Sequence, residues 1–220
     1  MLTSDLINLN TPRLQLQDTV AKAKQLINDF KFTHLPVVSE NNFIGLISEE
    51  DLLDAEEEKQ SIESLQDDFL KIFVPHDAHF LVALQYCNTH ESNIVPVLNR
   101  QQEFIGIITS PDLMKTMGEF SGANEMGGLI ILGLERVHFS ISEISRIVES
   151  NDCTILHLNT ANHPASGLMH VTLHLNKREI SAVVATFERY EYQVVYHFGA
   201  KNVLDQTTDN YLNLMHYLNL

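Results

Sequence analysis

The sequence predicts an α+β protein, and three observations carry that prediction. One pattern of apolar, turn and capping residues is written twice in the first half of the chain. A concentration of glycines follows near residue 120. Beyond it, strand-like and helix-like periods alternate in the order βαββαβ.

The repeat is legible residue by residue. His34-Leu35-Pro36-Val37-Val38, a polar turn, Phe43-Ile44-Gly45-Leu46-Ile47-Ser48-Glu49-Glu50-Asp51 returns as Ile94-Val95-Pro96-Val97-Leu98, a polar turn, Phe104-Ile105-Gly106-Ile107-Ile108-Thr109-Ser110-Pro111-Asp112. Pro36 maps onto Pro96 after sixty positions, but Gly45 and Asp51 map onto Gly106 and Asp112 after sixty-one, so one residue is added in the intervening turn. A hairpin loop is where the chain tolerates such an insertion.

Each copy reads as strand, turn, strand, helix. Val37-Val38 and Phe43 to Ile47 are short β-branched and apolar runs, and Ser39-Glu40-Asn41-Asn42 between them has turn chemistry. Ser48-x-x-Asp51 and Thr109-x-x-Asp112 have the form of a capping box, a hydroxyl at the N-cap and a carboxylate three residues on. A further helix is expected upstream of each hairpin, with Val20, Ala23, Leu26, Ile27 and Phe30 on its apolar face in the first copy and Leu81, Ala83, Leu84 and Cys87 in the second. Asp18-Thr19 opens the first of these helices, after an alternating run through Leu14 and Leu16; Phe73-Val74-Pro75-His76-Asp77 leads into the second copy. A unit of this size buries too little apolar surface alone, whereas two can cover each other.

These residues resemble a tandem pair of CBS domains over residues 1–117, copy one at about 5–58 and copy two at about 66–117. The resemblance implies a ligand-sensing module that binds an adenine nucleotide or a related adenosyl ligand (AMP, ADP, ATP or S-adenosylmethionine) in the clefts between copies, with no cofactor required. It carries ligand contact over to Ser48, Asp51, Thr109 and Asp112, and the leading segments around Leu14 and Val74 would line the cleft walls. The chemistry is sensible, since a carboxylate accepts ribose hydroxyls and a helix N-terminus offers N–H groups to an anion. Capping and ligand contact by the same residues are compatible. Glu49-Glu50 in the first copy disfavours phosphate, so the second copy is expected to be the better nucleotide site. His34 is a candidate phosphate partner in the first.

Gly118, Gly122, Gly127 and Gly128 concentrate chain freedom in a linker at 118–128, without the spacing of a phosphate loop. From there Leu129 to Glu135, Thr154 to Asn159, Leu168 to Leu175 and Gln193 to Phe198 read as strands. Ser140 to Ser150 and Glu179 to Arg189 read as helices, with Ile141, Ile144, Ile147 and Val148 on one face of the first and Ile180, Val183, Val184 and Phe187 spaced for burial on the second. This βαββαβ order predicts a ferredoxin-like domain over 129–200 and resembles an ACT-like module, a regulatory family whose members often bind amino acids. Arg136-Val137-His138-Phe139 replaces that family's small turn after the first strand. A CBS pair followed by an ACT-like domain is similar to the acetoin-utilisation B type of bacterial regulatory protein. The tail, 201–220, has Leu204, Tyr211, Leu212, Leu214, Met215 and Leu218 at helical spacing and is expected to dock, most simply within a homodimer.

Composition narrows the functions. A net charge of -15 with only 14 Lys and Arg, scattered, excludes an electrostatic footprint for nucleic acid. No apolar run approaches the roughly 20 residues of a membrane span, and the N-terminus lacks signal-peptide form, so a cytoplasmic protein is expected. Cys87 and Cys153 suggest neither a disulfide framework nor a thiolate metal site. Glu49 to Asp68 holds ten acidic residues opposed by Lys59 only, read as a solvated face and linker. No nucleophile-base motif points to an enzyme. An alternative role as a metal-responsive regulator rests on His170 and His174 alternating away from the helices, with His157 beside them across the hairpin; a scaffold with empty clefts is the other alternative.

Overall fold

A computed structural model describes residues 1–9 and 11–199, and the chain divides into two compact units, Met1–Met117 and Gly118–Leu220. The expectation of a helical tail falls on 201–220, outside the described residues.

In the first unit, α1 (Val20–Phe30) starts where the Thr19 side chain accepts the Lys22 N–H, and it stops at Lys31, which turns left-handed at φ 56°. β1 (His34–Ser39) and β2 (Asn42–Ser48) then form an antiparallel hairpin that runs into α2 (Glu49–Asp54). The second copy repeats this with β3 (Val74–Pro75), α3 (Phe80–His90), a left-handed Glu91, β4 (Ile94–Leu98), β5 (Phe104–Thr109) and α4 (Ser110–Phe120). The strand register is copied too: Val37 pairs with Gly45 and Val97 with Gly106, with a bulge after each valine. Leu14 bridges Val37 in parallel as Val74 bridges Val97.

The copies complete each other. Asn8, in the leading segment of copy one, pairs with Ile107 of copy two, while Leu70, in the leading segment of copy two, pairs with Leu46 of copy one. Each hairpin therefore has its edge covered by the other copy's leading segment, which removes an exposed strand edge. Gly45 and Gly106 make room for that crossing. A Cβ on Gly45 would lie 2.7 Å from Phe69 Cβ, and one on Gly106 would lie 2.5 Å from Ile7 Cγ2. Phe43 and Phe104, equivalent in the two copies, stack on each other at 6.2 Å, as residues beside a pseudo-twofold relation between the copies would.

Several side-chain expectations change. Phe30 and Ile141, expected on apolar helix faces, are 47% and 56% exposed, each at the end of its helix where the core no longer covers it. Leu81 is 41% exposed, whereas Ala83, Leu84 and Cys87 pack on the core as expected and Phe80 and Tyr86 complete the buried face of α3. Leu14 and Val74, expected as cleft walls, sit wholly inside the two cores as members of the parallel bridges. Of the ten acidic residues from Glu49 to Asp68, all but Asp51 are exposed, as a solvated face requires.

The second unit has β6 (Gly128–Leu134), α5 (Ile141–Glu149), β7 (Ile155–Asn162), β8 (Met169–Leu175), α6 (Ser181–Arg189) and β9 (Gln193–Phe198). Its sheet runs in the order β7-β8-β6-β9 with every neighbour antiparallel, the ferredoxin-like arrangement. Ile130, Leu132, Val171, Leu173 and Leu175 face Ile144, Ile147, Val183 and Phe187 in one core. Burying a side chain of this size fully contributes about 1.5–3 kcal/mol. The stretch expected as linker begins later than Gly118, since α4 continues through that glycine to Phe120.

Candidate functional site

Both capping motifs form. The Ser48 hydroxyl donates to Asp51 Oδ2 at 2.6 Å and accepts the Asp51 N–H at 3.0 Å, and the Ser48 N–H also reaches Oδ2 at 3.2 Å. In copy two, Thr109 Oγ1 donates to Asp112 Oδ2 at 2.6 Å and accepts the Asp112 N–H at 3.4 Å. All four residues are half-buried. Capping thus occupies one oxygen of each carboxylate. The other, Oδ1, makes no hydrogen bond to the described residues and keeps its lone pairs for a hydroxyl donor.

The two motifs differ in what surrounds them. α2 has six residues and carries Glu49 and Glu50 in its first turn; α4 has eleven, with Ser110 and Pro111 there. A longer helix without added carboxylates presents the more positive N-terminus. His34 opens β1 and is 7% exposed, with Nδ1 2.9 Å from Thr33 Oγ1. Burial lowers its pKa; Asp51 opposes the shift and His90 reinforces it. An imidazole so placed is neutral near pH 7 and offers a hydrogen bond rather than a charge.

In the second unit the alternative histidine set does not converge. His170 and His174 are four residues apart on β8, about 13 Å along a strand. That separation forbids a shared ion. Across the hairpin, His157 pairs with His174, whereas His170 pairs with Ala161 and stacks on His163 at 4.5 Å. Nor is the face open there: His174 is 8% exposed, and a Cβ on Gly127 would lie 2.7 Å from its Nε2. The Phe120 ring meets His157 edge-on at 5.6 Å. Among the described residues, no group of three His, Cys, Asp or Glu could hold a metal ion.

A cavity of about 680 Å³ lies at the far end of the same sheet, lined in part by Glu135, His138, Glu143, Tyr190, Glu191 and Tyr192. Tyr192 donates to Glu143 Oε2 at 2.9 Å, and its pKa is raised to about 12 by burial and by that carboxylate. The lining is acidic and aromatic and includes no Lys or Arg. Nothing local in the sequence signals it, because Glu143 and Tyr192 meet only through the packing of α5 against the start of β9.

Residues 4–58 match the family model of the CBS domain. Among solved structures, the chain is similar to a CBS domain pair/ACT domain protein from Thermotoga maritima at 18% identity, covering 55% of this chain and 98% of that one, with a TM-score of 0.48. A candidate acetoin utilization protein from Vibrio cholerae aligns at 20% identity over 56% of this chain and 95% of that one, TM-score 0.47. CBSX2 in complex with AMP aligns at 17% identity over 54% and 97%, TM-score 0.47. Among the described residues, no helix is long and apolar enough to cross a membrane.

Proposed function

We propose that this chain, with a CBS domain matched at residues 4–58 and the same strand register repeated sixty positions later, is a ligand-sensing regulatory protein without a catalytic step. Its ligand is an adenine nucleotide or related adenosyl compound bound at the Ser/Thr-x-x-Asp motifs. One observation carries the reading: two equivalent carboxylates, Asp51 and Asp112, each hold a capping hydroxyl with one oxygen and leave the other uncommitted at the start of a helix. A ribose supplies two hydroxyl donors to such an oxygen, and the N-terminus of α4 accommodates a phosphate. The second copy is the stronger site, because Glu49 and Glu50 set two negative charges beside the first.

Binding works by linkage. A ligand held between the copies favours one arrangement of the pair, and that preference biases the ACT-like unit through the segment following α4; couplings of this kind amount to about 1–3 kcal/mol. The reading includes a homodimer in the bacterial cytoplasm, regulating a partner protein. Calorimetry with AMP tests it. Asp112→Ala should weaken binding at least tenfold with circular dichroism unchanged, and Asp51→Ala should weaken it less. Equal affinity in Asp112→Ala and the parent protein removes that carboxylate from the site.

A further inference from the structure

Two residues that belong to neither motif join them across the pseudo-twofold axis. Thr33 and Asn93 are equivalent positions, each the residue before its copy's first hairpin strand. The Thr33 N–H donates to Asn93 Oδ1 at 2.9 Å, its hydroxyl reaches the same oxygen at 3.2 Å, and the Asn93 N–H donates to Thr33 Oγ1 at 3.1 Å. Asn93 Nδ2 adds a bond to the Lys31 carbonyl at 2.8 Å, beside the end of α1. The carbonyls of these same two residues point the other way. Thr33 O accepts the Glu49 N–H, the first of α2, and Asn93 O accepts the Ser110 N–H, the first of α4, both at 2.9 Å.

The connection is therefore continuous: α2 N-terminus, Thr33, Asn93, α4 N-terminus. We infer that Thr33 and Asn93 are a shared positioning pair that sets both Ser/Thr-x-x-Asp motifs at once, so that the two clefts act as one coupled unit. The reason is geometric. Each of the two residues is fixed on one side by the other copy and on the other side holds its own copy's helix start, so neither N-terminus can shift without moving its counterpart. Thr33 also touches the His34 imidazole, which extends the connection towards Asp51.

Amide hydrogen exchange tests this without a ligand. In the full chain, Asn93→Ala should speed exchange of the Glu49 amide, in the opposite copy, at least tenfold, while the Leu46 amide, bonded to the Leu70 carbonyl of copy two's leading segment, keeps its rate. Asn93→Asp retains the acceptor oxygen and should hold Glu49 within about twofold of the parent rate. Thr33→Val, nearly isosteric, should speed the Ser110 amide in return, and it decides the matter if Asn93→Ala does not fold. A response confined to the substituted residue's own copy, or one shared equally by Leu46, overturns the inference. The ligand arm rests on the proposed function: with AMP, Thr33→Val should abolish the dependence of the second binding step on the first. If the parent protein takes up no AMP, that reading fails while the amide result still judges the positioning pair.

Discussion

The two copies share a backbone plan and differ in what their motifs can hold. Strand register, bulges and left-handed helix ends all recur, the register where the leading segments cross the hairpins and the left-handed residues where α1 and α3 stop ahead of each hairpin. The side chains at the motifs are under no such constraint. Copy one has His34 where copy two has Ile94, a six-residue helix where copy two has eleven, and two glutamates where copy two has Ser110 and Pro111. Packing thus preserves the duplication, and the differences collect at and beside the capping motifs, whose side chains the core does not fix.

The sharpest way to break the symmetry is at the glycines. Gly106 has φ 149° and faces Ile7 and the Asn8 carbonyl, at 2.5 and 2.8 Å from an added Cβ; Gly45 faces Phe69 and has no such backbone demand. Gly106→Ala should cost about 3 kcal/mol in urea unfolding and Gly45→Ala about half that, since strain and overpacking combine at the first. Equal costs would mean that the crossing segments yield alike. The caps give a smaller contrast. Ser48→Ala should cost about 1 kcal/mol and Thr109→Ala less, because the hydroxyl-to-amide bond is 3.0 Å in copy one and 3.4 Å in copy two. Thermal unfolding of the two variants side by side would show it.

The last contrast is a slope rather than a level. His34 has a folded-state pKa below the usual histidine value of about 6.5, held down chiefly by burial. As pH falls through that value the unfolded chain takes a proton that the folded chain refuses, so the His34 contribution to stability is present above pH about 6.5 and declines below it. His34→Ile, which makes copy one resemble copy two, should flatten the fall in stability between pH 7 and pH 5. An unchanged pH profile would place the imidazole in a better solvated site than its 7% exposure indicates.

Much of the second unit could be read from periodicity. The strand Gln193–Phe198 and the cap at Ser140 stand where the pattern puts them, because alternation and the capping box are local signals. The histidines misled for a related reason. Alternation correctly put His170 and His174 on the face away from the helices, but it carries no information about reach along a strand or about a segment folding over that face. On α3 the pattern places Ala83, Leu84 and Cys87 on the core side, but Leu81 is exposed and Phe80 takes the place at the first turn, where spacing alone does not tell two adjacent apolar residues apart.

By itself the sequence determined the hairpins, the capping motifs and the βαββαβ order, since each is assembled from signals within one helical turn or one strand, and the duplication, since those same local signals recur after about sixty residues. The tertiary structure decided the exchange of leading segments at Gly45 and Gly106, the Thr33–Asn93 pairing and the acidic cavity around Glu143 and Tyr192. Those contacts join positions from about 24 to about 99 residues apart. Only the closing of the chain upon itself sets which of the many compatible polar and apolar pairs will meet.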